Sequence, residues 1–290
     1  MDEIHAQPLD AIIIGAGFSG IYQLYSLRKK LGLKAKILEA GGGVGGTWYW
    51  NRYPGARCDS ESHTYCYYFN RELLENWQWT ERYPGQPEIL RYLKFCVKTL
   101  DLHKDIHLNE RVVSGTWDDQ SQVWKISTAS GHKCNARFLI TAVGCLSSTN
   151  KPKIDGLTDF SGDIYHTGYW PHETVKFDKK RVAVIGTGSS GIQAIPEIAK
   201  QAQKLFVLQR TPNYSVPARN RPLGSNFQSE FVKKIEFWRA KMLESRNGHP
   251  WVAPDREVKK TAKEQRLKIM ESAWLHGGLS FRESFSDVLV

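Results

Sequence analysis

Two stretches of this chain, far apart in sequence, follow one plan. Ala11-Ile-Ile-Ile-Gly15-Ala-Gly17-Phe-Ser19-Gly20 and Val182-Ala-Val-Ile-Gly186-Thr187-Gly188-Ser189-Ser190-Gly191 are each an apolar, β-branched run followed by a G-x-G-x-x-G turn. Beyond each turn the apolar residues recur at helical spacing: Ile21, Leu24, Tyr25 and Leu31 in the first copy, Ile192, Ile195, Ile198, Ala199 and Ala202 in the second. Pro196 is an awkward member that predicts a kink or a place near the first turn. A second strand then follows, Ala35–Glu39 in the first copy and Leu205–Arg210 in the second. Two βαβ openings in 290 residues predict an α/β protein with two Rossmann-like dinucleotide-binding domains.

The glycines of such a turn let the backbone approach a pyrophosphate, which the N-terminal amides of the next helix hold. Gly15, Gly17, Ser19 and Gly20 are the candidates in the first copy; Gly186, Thr187, Gly188, Ser189, Ser190, Gly191 and Gln193 are those in the second. The copies differ at the end of the following strand. Glu39 is an acceptor suited to ribose hydroxyls, whereas Arg210, followed by Thr211, is a cation that would hold a 2′-phosphate. The first site therefore suits FAD and the second NADPH. The alternative for either residue is an exposed charge at a strand end.

Between the two copies, residues 87–100 read as an amphipathic helix opened by Pro87. Residues 106–140 read as short strands with turns at Asp118-Asp119 and Ser130-Gly131, a meander inserted into the first nucleotide unit. This divides the chain into an FAD domain over 1–149, a linker over 150–175 and an NADPH domain over 176–290. From about Arg221 the pattern turns polar and helical, with Phe231, Ile235, Trp238 and Met242 on one stripe.

Composition closes off several classes. The five cysteines form no C-x-x-C pair, which argues against a disulfide framework and against zinc. The net charge of +10 comes from scattered lysines and arginines, as on a solvated surface and unlike a nucleic-acid face. No apolar run is long enough for a membrane span and the N-terminus lacks a signal peptide's pattern, so the expectation is a cytoplasmic protein.

Two longer motifs are more specific. Phe160-Ser-Gly162-Asp-Ile-Tyr-His166-Thr-Gly-Tyr-Trp170-Pro171 has the form F-x-G-x-x-x-H-x-x-x-W-P, and Gly46-Thr47-Trp48-Tyr-Trp-Asn-Arg-Tyr53-Pro54-Gly55-Ala-Arg57-Cys-Asp59 has the form G-x-W-x-x-x-x-Y-P-G-x-x-x-D. In both, the chain resembles the type I Baeyer–Villiger monooxygenases of the phenylacetone and cyclohexanone branch, from about Leu9 to about Leu223.

The resemblance implies two dinucleotide domains, both incomplete here, and a helical C-terminal segment. It implies an enzyme that takes hydride from NADPH onto FAD and inserts oxygen from O2 beside a ketone carbonyl through a C4a-peroxyflavin, giving an ester or lactone. Gly46, Thr47, Trp48, Tyr65 and Val112 would join the FAD contacts. Asp59, a cofactor neighbour, and Arg57 would serve catalysis, with Asp59 orienting an active-site arginine. Phe160, Gly162, His166 and Trp170 would act as a hinge rather than as acid or base. The family's catalytic arginine lies beyond the matched region, so the chain by itself is expected not to turn over a ketone. An N- or S-oxidising flavin monooxygenase and an inactive nucleotide-binding protein stay open as alternatives.

Overall fold

The computed structural model describes residues 9–245, 248–250 and 254–287. It divides into two compact units, the first formed by residues up to Pro54 with Gln86–Lys176, the second by Gly55–Gly85 with Phe177 onward. The division differs from the sequence-based one at residues 55–85, which group with the second glycine motif, and at the linker, which groups with the first.

The first unit is built on one six-stranded sheet. The chain enters through β1 (Leu9–Ile14), turns into α1 (Phe18–Tyr25) and returns through β2 (Ala35–Leu38). A short α2 (Thr47–Trp50) follows. After α3 (Arg71–Asn76), which belongs to the second unit, come α4 (Gln86–Thr99), β3 (Ile106–His107), β4 (Val112–Asp118), β5 (Val123–Thr128) and β6 (Lys133–Thr141). The strand order is β3-β2-β1-β6-β5-β4. β1 lies at the centre, parallel to β2 and β6, which is why its Ala11-Ile-Ile-Ile14 run is apolar without alternation: Ile12 and Ile13 are fully buried.

The meander is therefore no separate insertion. β4, β5 and β6 pair antiparallel, but β6 also runs alongside β1, so its last strand completes the nucleotide-binding sheet. Ile21 and Leu24 of α1 are buried as their spacing predicts, whereas Leu31 is 64% exposed. The reason is that α1 ends at Tyr25 and widens into a π-helical turn over Ser26–Lys30, which shifts the periodicity before Leu31 is reached.

In the second unit β7 (Arg181–Ile185) and β8 (Lys204–Leu208) pair in parallel around α5 (Ser189–Ala199). Pro196 lies inside α5, past its first turn, and Ala194 and Ile198 are its buried residues. The helical region comprises α6 (Phe227–Lys233), α7 (Ile235–Glu244) and α8 (Lys263–His276). Phe231 and Ile235 bury beside Leu74 with Trp238 against them, so three of the four residues of the predicted stripe share one cluster although the helix breaks at Lys234. No helix among the described residues is long and apolar enough to cross a membrane.

Candidate functional site

The first glycine loop closes because hydrogen is the only side chain that fits. Gly15 has φ +103°, and a Cβ there would lie 2.6 Å from the Ala142 carbonyl oxygen; one on Gly20 would lie 1.9 Å from that of Gly15. The second signature folds onto this loop. Gly45 N–H donates to the Ala16 carbonyl at 2.9 Å, and Gly46 approaches so closely that its Cβ would stand 2.8 Å from Gly17 Cα. Gly46 leads into α2, where Thr47 is the first residue and Trp48 is buried, its carbonyl accepting from Gln86 Nε2. Ser19 is exposed in the first turn of α1, whose N-cap is Gly17; no side chain caps these amides, which leaves them for an anion.

Glu39 is 4% exposed, which removes the reading of it as an exposed strand-end charge. Its Oε2 accepts from Ala16 N–H at 2.6 Å and its Oε1 from Gly41 N–H at 2.7 Å. The carboxylate thus holds the loop while each oxygen keeps a lone pair for a ribose hydroxyl. Val112 begins β4 opposite Thr128 at a register shift, and its side chain packs against the cluster of Leu9, Ile12 and Leu38.

The fingerprint of residues 160–171 is tied together locally in the same unit. His166 Nδ1 accepts from Gly168 N–H at 3.0 Å, which assigns the ring proton to Nε2, donating to the Asn150 carbonyl at 3.3 Å. Gly162 faces the ring of Phe160, which a Cβ would meet at 2.6 Å. Trp170 lies 5.5 Å from Tyr165, ring centre to ring centre. This wiring leaves His166 as a turn-former with both nitrogens engaged.

In the second unit the glycine turn repeats. Gly186 has φ +100°, and a Cβ on Gly191 would lie 2.3 Å from the Gly186 carbonyl oxygen. A Cβ on Gly186 or Gly188, however, would meet nothing within 4 Å, so space is open where a phosphate would lie. Ser189 and Ser190 begin α5, again with a glycine, Gly188, at the N-cap and no side-chain cap. Thr187 is held by the segment after β8: its Oγ1 accepts from Gln209 Nε2 at 2.8 Å and its carbonyl from Asn213 Nδ2 at 3.2 Å. That brings the exposed Arg210 and Thr211 to the same turn, and Arg210 pairs with no carboxylate among the described residues.

The end of the second signature belongs to this unit too. Arg57 directs its guanidinium at Glu81 Oε2, 3.4 Å away, and at the Tyr83 carbonyl, 3.2 Å away. Asp59 is exposed, and its Oδ1 accepts from Gln193 Nε2 at 3.0 Å. Tyr65 is half-buried, its N–H donating to the carbonyls of Glu61 and Ser62. Trp48 and Tyr65, both expected from the resemblance to contact FAD, thus fall in different units.

Sequence reasoning missed a buried charge cluster. Arg82 Nε donates to Glu61 Oε1 at 2.6 Å and its Nη1 to the His276 carbonyl at 2.7 Å. His63 Nε2 stands 3.6 Å from Glu61 Oε2. Burial lowers the pKa of His63, with Glu61 raising it and Arg82 lowering it in turn. These groups floor a cavity of about 410 Å³ walled by Phe227, Phe231 and Trp238. Two ionisable residues spaced two apart among Ser60, Ser62 and Thr64, just ahead of the aromatic run from Tyr65, were the available signal: Glu61 and His63.

Residues 12–244 match the family described as pyridine nucleotide-disulphide oxidoreductase. The chain is 41% identical over 283 residues to phenazine N-monooxygenase PhzNO1 of Lysobacter antibioticus, covering 97% of this chain and 52% of that protein. It is 41% identical over 286 residues to cyclohexanone 1,2-monooxygenase of Acinetobacter sp., covering 96% and 52%. Among solved structures, an oxidized steroid monooxygenase bound to NADP superimposes with a TM-score of 0.91 at 45% identity, covering 98% of this chain and 54% of that one. The chain spans about half the length of the curated relatives it matches. On the match over 12–244, the chain belongs to the pyridine nucleotide-disulphide oxidoreductase family, and the Baeyer–Villiger resemblance of its two signatures is met by a cyclohexanone monooxygenase among its relatives.

Proposed function

We propose that the protein to which this chain belongs is an FAD- and NADPH-dependent monooxygenase of the Baeyer–Villiger type, acting on a small ketone and O2 to give an ester or lactone. The observation that carries the reading is the contrast between the two glycine turns: a buried carboxylate, Glu39, at the first and an exposed cation, Arg210, at the second. A carboxylate repels a 2′-phosphate and accepts ribose hydroxyls, whereas a guanidinium binds that phosphate. Hydride transfer and oxygen activation are chemistry that the two cofactors supply when bound. This chain's residues bind and orient them: Gly15, Gly17, Gly20 and Gly46 by close backbone approach, Glu39 by accepting, Gly186–Gly191 by the uncapped turn of α5, and Arg210 with Thr211 by pairing.

Asp59 is the residue we assign to chemistry, as the orienting partner of an active-site arginine that steadies developing negative charge. Arg57 we assign to holding the Asp59 loop, since its guanidinium is engaged by Glu81 and Tyr83. His166 we assign to shaping the connection after the first unit. The protein works in the cytoplasm with no nucleic-acid or membrane partner.

Oxidation at nitrogen is the second reading, favoured by one observation: a phenazine N-monooxygenase is as similar to the chain as the cyclohexanone enzyme is. Asp59→Ala tests the first reading. In the FAD-loaded full-length protein it should lower ester formation by about 10²- to 10³-fold and flavin reduction by NADPH far less. Stopped-flow absorbance separates the two steps, and equal ketone turnover in variant and wild type contradicts the assignment.

A further inference from the structure

Gln193 sits in the second turn of α5, the helix that opens at the second glycine motif, and the sequence groups it with the cofactor-binding residues. Its side-chain amide points elsewhere. Nε2 donates to the Arg57 carbonyl at 3.2 Å and to Asp59 Oδ1 at 3.0 Å, and Oε1 accepts from the Arg57 N–H at 3.3 Å. An amide that bonds both the N–H and the C=O of one residue mimics a strand partner, and its remaining N–H aims the nearby carboxylate. The backbone is shaped for this approach. Gly55 has φ +78°, and a Cβ there would lie 2.3 Å from the Gln193 carbonyl oxygen and 3.1 Å from Glu197 Cγ, so any side chain would push the loop off α5. Ala56 and Cys58 are buried while Asp59 remains exposed.

From this geometry we infer that Gln193 is a positioning residue, which fixes the Asp59 carboxylate to the helix whose N-terminus holds the second dinucleotide. The inference rests on the assignment of Asp59 given above and adds what aims it. One oxygen of Asp59 is turned to Gln193, and the other makes no hydrogen bond among the described residues, which leaves it to orient a cation. Because Gln193 and the uncapped amides at Gly188–Gly191 share one short helix, a shift of α5 on nucleotide binding would carry the carboxylate with it.

Two measurements test this. The first is amide hydrogen exchange on the 290-residue chain. Gln193→Leu should speed exchange of the Arg57 amide about tenfold while the Val182–Val184 amides of β7 keep their rates. Unchanged exchange at Arg57 overturns the inference.

The second is ester formed per NADPH consumed in the FAD-loaded full-length protein. Gln193→Leu should lower that ratio about 10- to 100-fold, as a misplaced group does. Gln193→Glu should lower it at neutral pH, where a second carboxylate faces Asp59, and recover it as pH falls and the new carboxyl regains a proton to donate. A ratio that ignores pH, or a Gln193→Leu ratio equal to wild type while Asp59→Ala lowers it, overturns the positioning role and leaves Asp59 standing. A ratio unmoved by Asp59→Ala overturns both.

Discussion

Arg210 and Glu39 occupy matching places 19 residues past Gly191 and Gly20, and their opposite charges carry the cofactor assignment at the level of single side chains. Arg210→Ala should therefore erase a preference for NADPH over NADH. A bidentate, charge-assisted contact of this kind contributes about 1.5–3 kcal/mol, roughly 10- to 150-fold. Comparing flavin reduction by the two nucleotides in the full-length protein checks it; an unchanged ratio removes Arg210 from the site. His63 supports a pH prediction. Its folded pKa lies below the ordinary 6.5 because burial disfavours the charged ring. Above about pH 6.5 neither state carries the proton, so its contribution is constant; below that, the unfolded chain takes up a proton that the folded chain refuses. Stability should fall as pH drops from about 6.5, and His63→Phe should flatten that fall in urea melts taken at pH 7, 6 and 5. An identical slope in the variant would exclude His63 as the cause. Of these residues, the places of Glu39 and Arg210 just past β2 and β8 were legible from spacing. The contact of Gln193 with Asp59 was not, because it joins residues 134 apart in sequence.

The two glycine turns are where sequence and element agree most closely, since a tight strand-to-helix turn leaves little freedom in residue type. Their glycines nevertheless do different things. Gly191 is needed by the fold, as its Cβ would strike the Gly186 carbonyl oxygen at 2.3 Å, while Gly188 faces open space. Gly191→Ala should lower the melting temperature by several degrees, whereas Gly188→Ala should leave it within about 2 °C yet weaken NADPH binding at least tenfold. Calorimetry with and without nucleotide separates them; undiminished binding by Gly188→Ala contradicts the phosphate cradle. Periodicity located α4 and the strands of 106–140, and it failed at Leu31, where a π turn breaks the spacing. It also could not reveal that β6 joins β1, because strand order is set by packing between segments more than 100 residues apart.

At the scale of the molecule, the division into two units follows chain connectivity less closely than the sequence suggested. Residues 55–85 leave the first unit through the Pro54-Gly55 step and return at Gln86, carrying Asp59 with them. Nothing in composition marks that excursion; what fixes it is pairing such as Tyr83 with Asn220 and Gln193 with Asp59. In β7 and β8 the apolar residues Ile185, Val207 and Leu208 are about half exposed or more, at 60%, 45% and 50%, an open arrangement for parallel strands, which usually bury both faces. The activity proposed for the protein to which these two units belong is oxygen insertion next to a ketone carbonyl. It is tested most directly by incubating the full-length, FAD-loaded protein with NADPH, ¹⁸O2 and cyclohexanone beside phenazine, and weighing the products by mass spectrometry. The expected product is a lactone that has gained one ¹⁸O atom; cyclohexanone left untouched while phenazine becomes its labelled N-oxide would overturn the proposed activity.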